Sequence, residues 1–453
     1  MRIPKKPPSW KAVFKRPNET LLRRAVEPPI RRAVDAANDK AWNYEDCKYR
    51  VPPELSGDEF WTLVKLSRAS GRESIPLLDL FGHPFDFRLP AAAHRVLHLA
   101  DREMAGSIAA TTPELDSLEA QKSHIIRSLT EEAIASSQIE GAAVTRDDAE
   151  KMLRENRKPR TEGERMIRNN YSTIRIVNER RDEPMTPEFL CEIQRSLTRE
   201  TLKKPDQVGR FRRADEHITI VDDRDNVEVH IPPPAGELPR RIGALCAFAN
   251  GVDDPRRTEP FIHPVVRAIA LHFWVGYVHP FADGNGRTAR ALFYWSMLRN
   301  GYWLAEYLTI SEIIRGQPVQ YGWAYLDTEI DDNDLTYFII YHLKVLERSL
   351  KAFREYVARK TAERKRVLAT VSLARFNPRQ RMLLEQALRD ASAAWSYESH
   401  ATTYGVTVPT ARTDLLDLEK LGLLRGNRVG RRFEFVPVRD LGEALRRLSP
   451  PGG

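Results

Sequence analysis

Cysteine is scarce. The 453 residues hold three, Cys47, Cys191 and Cys246, and no two form a Cys-x-x-Cys pair. Thiols this sparse argue against a disulfide framework or a zinc site and suit a reducing cytoplasm, the compartment expected here. Long apolar runs are lacking too. No stretch approaches the roughly 18 apolar residues of a membrane span, so no membrane partner is expected. The opening MRIPKKPPSWKAVFKRP is basic but has no apolar core, unlike a secretory leader. No internal repeat is visible.

What is present is a globular composition. Apolar residues make up 42%, enough for packed cores, and the length suggests two to four domains at about 150 residues each. Net charge is +8, and the first fifty residues hold 13 Lys/Arg against 6 Asp/Glu. Residues 1–50 therefore read as a basic, largely irregular arm with one short helix near RRAVDAAND. The arm is either a solvated tail or a contact for an acidic partner such as nucleic acid.

Helical patterns follow. GDEFWTLVKLSRAS and PAAAHRVLHLADREMAGSIA place 51–118 in an N-terminal helical region. A longer helix, 119–141, has apolar residues at Ile125, Ile126, Leu129, Ala133 and Ile134 and closes at Gly141. The region 119–350 reads as a helical domain with one exception. HITIVDDRDNVEVHIPPP alternates, turns at Asp-Arg-Asp-Asn, alternates again and stops at prolines, the pattern of a β-hairpin over 217–231. A charged linker helix covers 351–374. Residues 375–448 give helix, helix-turn-helix and a basic hairpin, a winged-helix pattern, with Pro409 near the start of a helix where its missing N–H costs little.

Two stretches begin alike, GHPFDFRLP from Gly82 and VHPFADGNGRTARALFYW from Val278. His83-Pro84-Phe85 reads as packing. The second stretch continues into a turn, Gly284-Asn285-Gly286, that feeds a helix. Such a turn aims backbone N–H groups at one spot, where the helix dipole favours an anion. Arg287 and Arg290 share one face of the new helix, and guanidinium forks suit phosphate. Asp283 precedes the turn, where a carboxylate beside phosphates commonly holds Mg²⁺. His279 can accept a hydroxyl proton near neutral pH. Phe281 is expected to anchor the loop. The set suits a polyphosphate.

The string HPFADGNGRTAR resembles the Fic family signature, HPFxDGNGRxxR, with every fixed position present. The resemblance extends more weakly over 120–345. It implies a mostly α fold, a Fic-type helical bundle with a β-hairpin flap, to which the sequence adds a C-terminal winged helix. It also implies an activity, transfer of AMP from ATP to a Ser, Thr or Tyr hydroxyl of a target protein. By resemblance, His279 is the base, and Asp283 holds Mg²⁺ on the α- and β-phosphates. Asn285, the Gly284 and Gly286 turn and Arg287 stabilise phosphate charge. Arg290 grips the γ-phosphate, and the flap clamps the target by strand addition. Relatives that phosphorylate carry lysine where Gly286 stands, so Gly286 favours AMP transfer. Many members have paired tyrosines where this chain reads QYGWAYL. Tyr321 matches one, and Gly322 replaces the other, which leaves base preference open.

SSQIEG, Ser136 to Gly141, is by itself a helix end with a glycine cap. Beside a Fic core it resembles the family's inhibitory motif, [ST]xxxE[GN], with Ser136, Glu140 and Gly141 in the fixed places. By resemblance, Glu140 pairs with Arg290 and occupies the γ-phosphate position. Some relatives use the same glutamate to remove AMP, so an AMP-removing or bifunctional enzyme is an alternative. Another is a DNA-binding regulator with a nucleotide-sensing core. In a DNA-binding winged helix, Thr410, Arg412 and Thr413 would face a groove, and Arg425, Arg428, Arg431 and Arg432 would hold phosphates. The alternative there is a protein-interaction or dimerisation module, with a homodimer left open.

Overall fold

The computed structural model describes residues 4–10, 19–105, 118–222, 227–251, 261–373, 376–389, 393–429 and 432–448. It divides into two compact units, Met1–Gly106 with Arg127–Leu350, and Ser107–Ile126 with Lys351–Gly453. As expected, the fold is mostly α. Among the described residues the strands form three separate two-stranded antiparallel hairpins.

In the first fifty residues the helix expected near RRAVDAAND is present, and further helices depart from the expected irregular arm. Glu19–Arg24, Pro28–Asp39 and Tyr44–Lys48 are helical. Leu21, Ile30, Val34, Ala37 and Cys47 bury against Phe60, Trp61, Leu63 and Val64 of helix α1 (Gly57–Ala69). Burial of that apolar stripe outweighs a composition that reads as a tail. Lys65 and Arg68 of α1 are buried as well, with Lys65 Nζ 2.8 Å from Asp331 Oδ2 and Arg68 Nη1 donating to the Tyr337 hydroxyl at 2.6 Å.

The region 51–118, expected to be helical, also contains a hairpin, β1 (Glu73–Leu78) and β2 (Pro84–Phe87). Pro76 lies on its exposed face, which an edge ribbon tolerates. This hairpin holds the first His-Pro-Phe. The Phe85 ring packs edge-on against Phe273, Trp274 and Tyr277 at centroid distances of 5.1, 5.7 and 5.1 Å. The His83 side chain is 72% exposed, so this copy is a packing element.

Two buried helices form the core of the first unit. Helix α2 (Leu118–Ile139), helix α3 (Pro187–Thr198) and the hairpin β3 (Ile220–Asp222) with β4 (Val227–His230) precede them in the chain. Helix α4 (Pro264–Val278) starts where the His263 side chain accepts from the Val265 N–H, and it is apolar nearly all round. Such a helix belongs in an interior, and Val265, Ile269, Leu271, Phe273 and Val275 are fully buried. Helix α5 (Asn285–Arg299) packs against α4, and α3 packs against α5. Helix α6 (Pro318–Ile330) follows, and then one long helix over Thr336–Leu373. The β3–β4 ladder is shorter than the expected 217–231, and its turn, 223–226, lies outside the described residues.

The second unit contains the helices Pro378–Arg389, Tyr397–Tyr404 and Val408–Lys420, then β5 (Leu424–Val429), β6 (Arg432–Pro437) and a short helix over Leu441–Arg447. Leu415, Leu418, Leu423 and Leu424 of the LLDLEKLGLL run are core, with Leu383, Trp395 and Phe435. Pro409 sits in the first turn of its helix. Arg412, Thr413, Arg425 and Arg428 are exposed and Thr410 is half-buried. Arg431 lies outside the described residues, and only the backbone of Arg432 is described.

Candidate active site

The site sits where α4 stops and α5 starts. Helix α4 ends at His279, whose φ of +47° turns the chain out of the helix. A non-glycine residue in this region is uncommon and marks a position held by its surroundings. The holding group is Arg212. Its Nε donates to the His279 carbonyl at 2.8 Å, its Nη2 to those of Val278 and Pro233, and its backbone N–H to the Pro280 carbonyl.

Phe281 is fully buried, as expected for an anchor, and its ring stacks on Phe211 at 5.2 Å. Asn285 closes the loop over it. Its Oδ1 accepts from the Phe281 N–H and its Nδ2 donates to the Phe281 carbonyl, both at 2.9 Å. The Asn285 carboxamide is thus engaged with the loop itself.

Gly284 begins α5 with φ +83°, and a Cβ there would lie 2.8 Å from Thr198 Cγ2. Both facts require glycine. A Cβ on Gly286 would lie 2.3 Å from Glu140 Oε1, so that carboxylate rests directly over the turn. Gln194 of α3 braces the same turn, donating to the Asp283 carbonyl at 3.1 Å and accepting from the Gly209 N–H at 2.6 Å.

Arg287 and Arg290 are each 1% exposed. Arg287 Nη1 donates to the Leu197 carbonyl at 3.2 Å, and its Nη2 is 3.6 Å from Asp283 Oδ1. Arg290 Nε donates to Ser136 Oγ at 2.8 Å, and its Nη2 to the Ser136 carbonyl and Glu140 Oε1, both at 2.9 Å. Arg287 Nε and Arg290 Nη1 are buried donors with no hydrogen-bond partner among the described residues. Orphaned buried donors of this kind are costly and fit an anion that supplies acceptors.

Helix α2 therefore delivers Ser136 and Glu140 to Arg290, with Gly141 in the left-handed turn just beyond. Burial alone would raise the Glu140 pKa, but the charges of Arg290 and Arg287 overcome it and hold the group below the usual carboxylate range. The Glu140 side chain is 26% exposed.

His279 Nδ1 is 3.2 Å from the Gly276 carbonyl oxygen. That oxygen can only accept, so Nδ1 carries the hydrogen and the Nε2 lone pair is left to take a proton. Burial, helped by the charges of His230 and Arg212, pushes the His279 pKa down to about 4, against the Gly276 bond and Glu140. The ring is neutral at neutral pH.

A cavity of about 260 Å³ is lined by Glu140, His279, Gly286, Tyr321 and the flap residues Val229 and His230. Tyr321 is held by its hydroxyl, 2.9 Å from His272 Nε2 and 3.4 Å from the Tyr325 hydroxyl. Gly322 lies in the same wall. The Asp283 side chain is 52% exposed, and no group of three or more potential metal-ligating His, Cys, Asp or Glu exists among the described residues. A half-exposed carboxylate beside the turn fits a cation carried mainly by phosphates and water.

Of the residues singled out in the sequence, Glu140, His279, Gly286 and Tyr321 line this cavity, and Arg290 is joined to it through Glu140. Arg212, Gln194, His230 and Glu329 were not legible. Each acts through a partner distant in the chain, and none belongs to a spaced motif.

Residues 184–297 match the Fic/DOC family. The chain is similar to "Protein adenylyltransferase Fic" of Nematostella vectensis, 27% identical over 173 residues, covering 38% of this chain and 35% of that protein. It is similar to the protein of the same name from Culex quinquefasciatus, 30% identical over 132 residues, covering 29% of this chain and 23% of that protein. It thus spans about a third or less of the length of these relatives. Among solved structures it is similar to a Fic family protein from Desulfovibrio desulfuricans G20, with TM-score 0.48, 19% identity and coverage of 76% of this chain and 96% of that one. It is also similar to Fic-1 of C. elegans, with TM-score 0.45, 18% identity and coverage of 58% and 72%. Among the described residues no helix is long and apolar enough to cross a membrane.

Proposed function

From the premise that this chain belongs to the Fic family through residues 184–297, we propose that it is an autoinhibited protein adenylyltransferase, moving AMP from ATP to a Ser, Thr or Tyr hydroxyl of a target protein. The observation that carries this is that a neutral His279 and Gly286 line one cavity with Glu140, and that Glu140 is bonded to Arg290, which like Arg287 is buried with an orphaned donor.

In this reading the target hydroxyl oxygen attacks the α-phosphorus of ATP. Its proton passes to His279 Nε2, the bond from the α-phosphorus to the bridging oxygen breaks, and pyrophosphate leaves. The turn amides and Arg287 neutralise charge developing on the phosphates. The Asn285 carboxamide, engaged with Phe281, holds the loop in shape. Mg²⁺, held by Asp283, would supply further charge neutralisation on the phosphates. Arg290 would bind the γ-phosphate once Glu140 leaves it, and the flap would receive the target segment.

The test is incubation with ATP labelled at the α- or γ-phosphate. Covalent protein label from the α-position alone supports AMP transfer. Label from the γ-position, or from neither after Glu140 is removed, overturns it. Glu140 faces the same cavity as His279, a placement that would also let it orient water. Loss of label from AMP-modified protein, dependent on Glu140, would therefore favour the AMP-removing alternative.

The exposed Arg412, Thr413, Arg425 and Arg428 support a separate reading of 375–448 as a winged helix that touches DNA phosphates. Replacing Arg425 and Arg428 should then weaken DNA binding and flatten its salt dependence. DNA binding unchanged by that replacement would argue for a protein-interaction module, whose homodimer a sedimentation measurement would reveal.

A further inference from the structure

The flap carries a residue whose hydrogen-bond partners determine its charge. His230 ends β4, and its side chain is 7% exposed. Its Nε2 lies 2.8 Å from the Tyr277 carbonyl oxygen, and its Nδ1 lies 2.7 Å from Glu329 Oε2. A carbonyl only accepts, so Nε2 carries a hydrogen. A carboxylate also accepts, so Nδ1 carries the second, and a ring with two N–H groups is an imidazolium. Tyr277 belongs to the last turn of α4, whose carbonyl end favours a cation. Burial alone would favour the neutral ring. Glu329 and the Tyr277 carbonyl outweigh it and hold the His230 pKa above the ordinary histidine value.

The strand geometry places this cation in the cavity. The β3–β4 register runs Val221 opposite Glu228 and Ile220 opposite His230, which leaves Val229 as an extra residue in a bulge. In a regular strand, neighbouring side chains point to opposite faces. The bulge lets Val229 and His230 both line the cavity that holds His279. The titratable and charged groups facing His230 are Glu329 and Tyr325 of α6, Tyr277 and His279 at the end of α4, Glu140 across the cavity, and Arg212 beside His279. Glu329 supplies the close negative charge, at 2.7 Å.

We propose that the His230 imidazolium is a latch that fastens flap strand β4 to the end of α4 and to Glu329, positions the flap beside His279, and releases it at high pH. His230 is thus a positioning residue. Its importance for transfer rests on the function proposed above, whereas the latch itself does not require that activity. A raised pKa means that the proton-linked stabilisation is fully present below about pH 6.5 and is lost as pH rises through the raised value.

The test uses the full chain with ¹⁵N-labelled histidine. Long-range ¹H–¹⁵N spectra from about pH 5 to 9 report which ring nitrogens are protonated. The parent is compared with Glu329→Gln, and His230→Phe assigns the signal. Hydrogen exchange of the backbone amides of 220–222 and 227–231 reports the flap. Both His230 nitrogens should be protonated at neutral pH, with a midpoint above the ordinary histidine value of about 6.5. Glu329→Gln should move that midpoint down by about one unit, a tenfold change in the protonation constant. Flap exchange should quicken about tenfold in His230→Phe, and equally in the parent above the midpoint, as expected when one charge-assisted bond is lost.

A singly protonated ring at pH 7 overturns the latch, as does a parent flap whose intrinsic-rate-corrected exchange ignores the midpoint. The parent titration and Glu329→Gln keep the test decisive even where His230→Phe folds poorly. A doubly protonated ring with a pH-sensitive flap, in a protein that transfers no label even as Glu140→Gly, would leave the latch standing and remove the adenylyltransferase reading instead.

Discussion

Replacing Glu140 with glycine should activate the protein. Glu140 Oε1 is 2.9 Å from Arg290 Nη2, and the arginine is 1% exposed. A hydrogen bond to a charged group is worth about 1.5–3 kcal/mol. If that bond competes with the γ-phosphate for Arg290, its removal should raise transfer by about tenfold to a hundredfold, at roughly 1.4 kcal/mol per factor of ten. Ser136 would still hold the guanidinium through its hydroxyl and carbonyl, at 2.8 and 2.9 Å, so Arg290 stays oriented toward the site. Residue 140 lies just beyond the end of α2, where glycine does not interrupt a helix. Two assays bear on this. Transfer of α-labelled phosphate is compared for the parent, Glu140→Gly, and Glu140→Gly combined with His279→Ala. Thermal melting with and without ATP should show a larger ATP-dependent stabilisation in Glu140→Gly than in the parent, because the freed buried charge gains a partner. Arg290→Ala also breaks the pair but removes the proposed ligand of the γ-phosphate, so it should not activate. Transfer by Glu140→Gly equal to or below that of the parent, with no added ATP stabilisation, would refute the reasoning.

Other outcomes follow from the same geometry. His279→Ala should reduce transfer by about 10²–10⁴ while ATP still shifts the melting temperature, since the group lost is the general base in the proposed reading. Because the folded pKa of His279 is depressed to about 4, the acid limb of the rate profile should fall near there rather than near 6.5. For the same reason, the stabilisation from keeping this ring neutral is present above pH 6.5 and is lost as pH falls toward 4, as a melting series would reveal. The two His-Pro-Phe copies should behave oppositely. Phe85→Ala should cost about 3–5 kcal/mol in denaturant unfolding, whereas His83→Ala should change stability by less than about 0.5 kcal/mol and leave transfer intact.

The local part of this protein was legible in the linear chain. His279, Asp283, the Gly284–Gly286 turn, Arg287 and Arg290 lie within the twelve residues 279–290, so spacing alone brings them together. The flap hairpin and the mostly α class follow from periodicity, because backbone hydrogen bonding in helices and tight hairpins is local. Ser136, Glu140 and Gly141 were legible only through a resemblance. Nothing in SSQIEG indicates that it meets a helix some 150 positions later.

What tertiary structure decided depends on pairs distant in sequence. Beyond the helix expected near RRAVDAAND, the first fifty residues turn helical where Leu21 and Cys47 find Phe60 and Trp61 to pack against, a burial that composition cannot report. Asn285, to which the resemblance gave a phosphate role, has both ends of its carboxamide committed to Phe281. Arg212 is one basic residue in GRFRRADEH until three carbonyls around His279 converge on it. His230 acquires its charge only from a carbonyl 47 positions away and a carboxylate 99 positions away. Protonation is a property of the partners that surround a group, and those partners are assembled only when the chain folds.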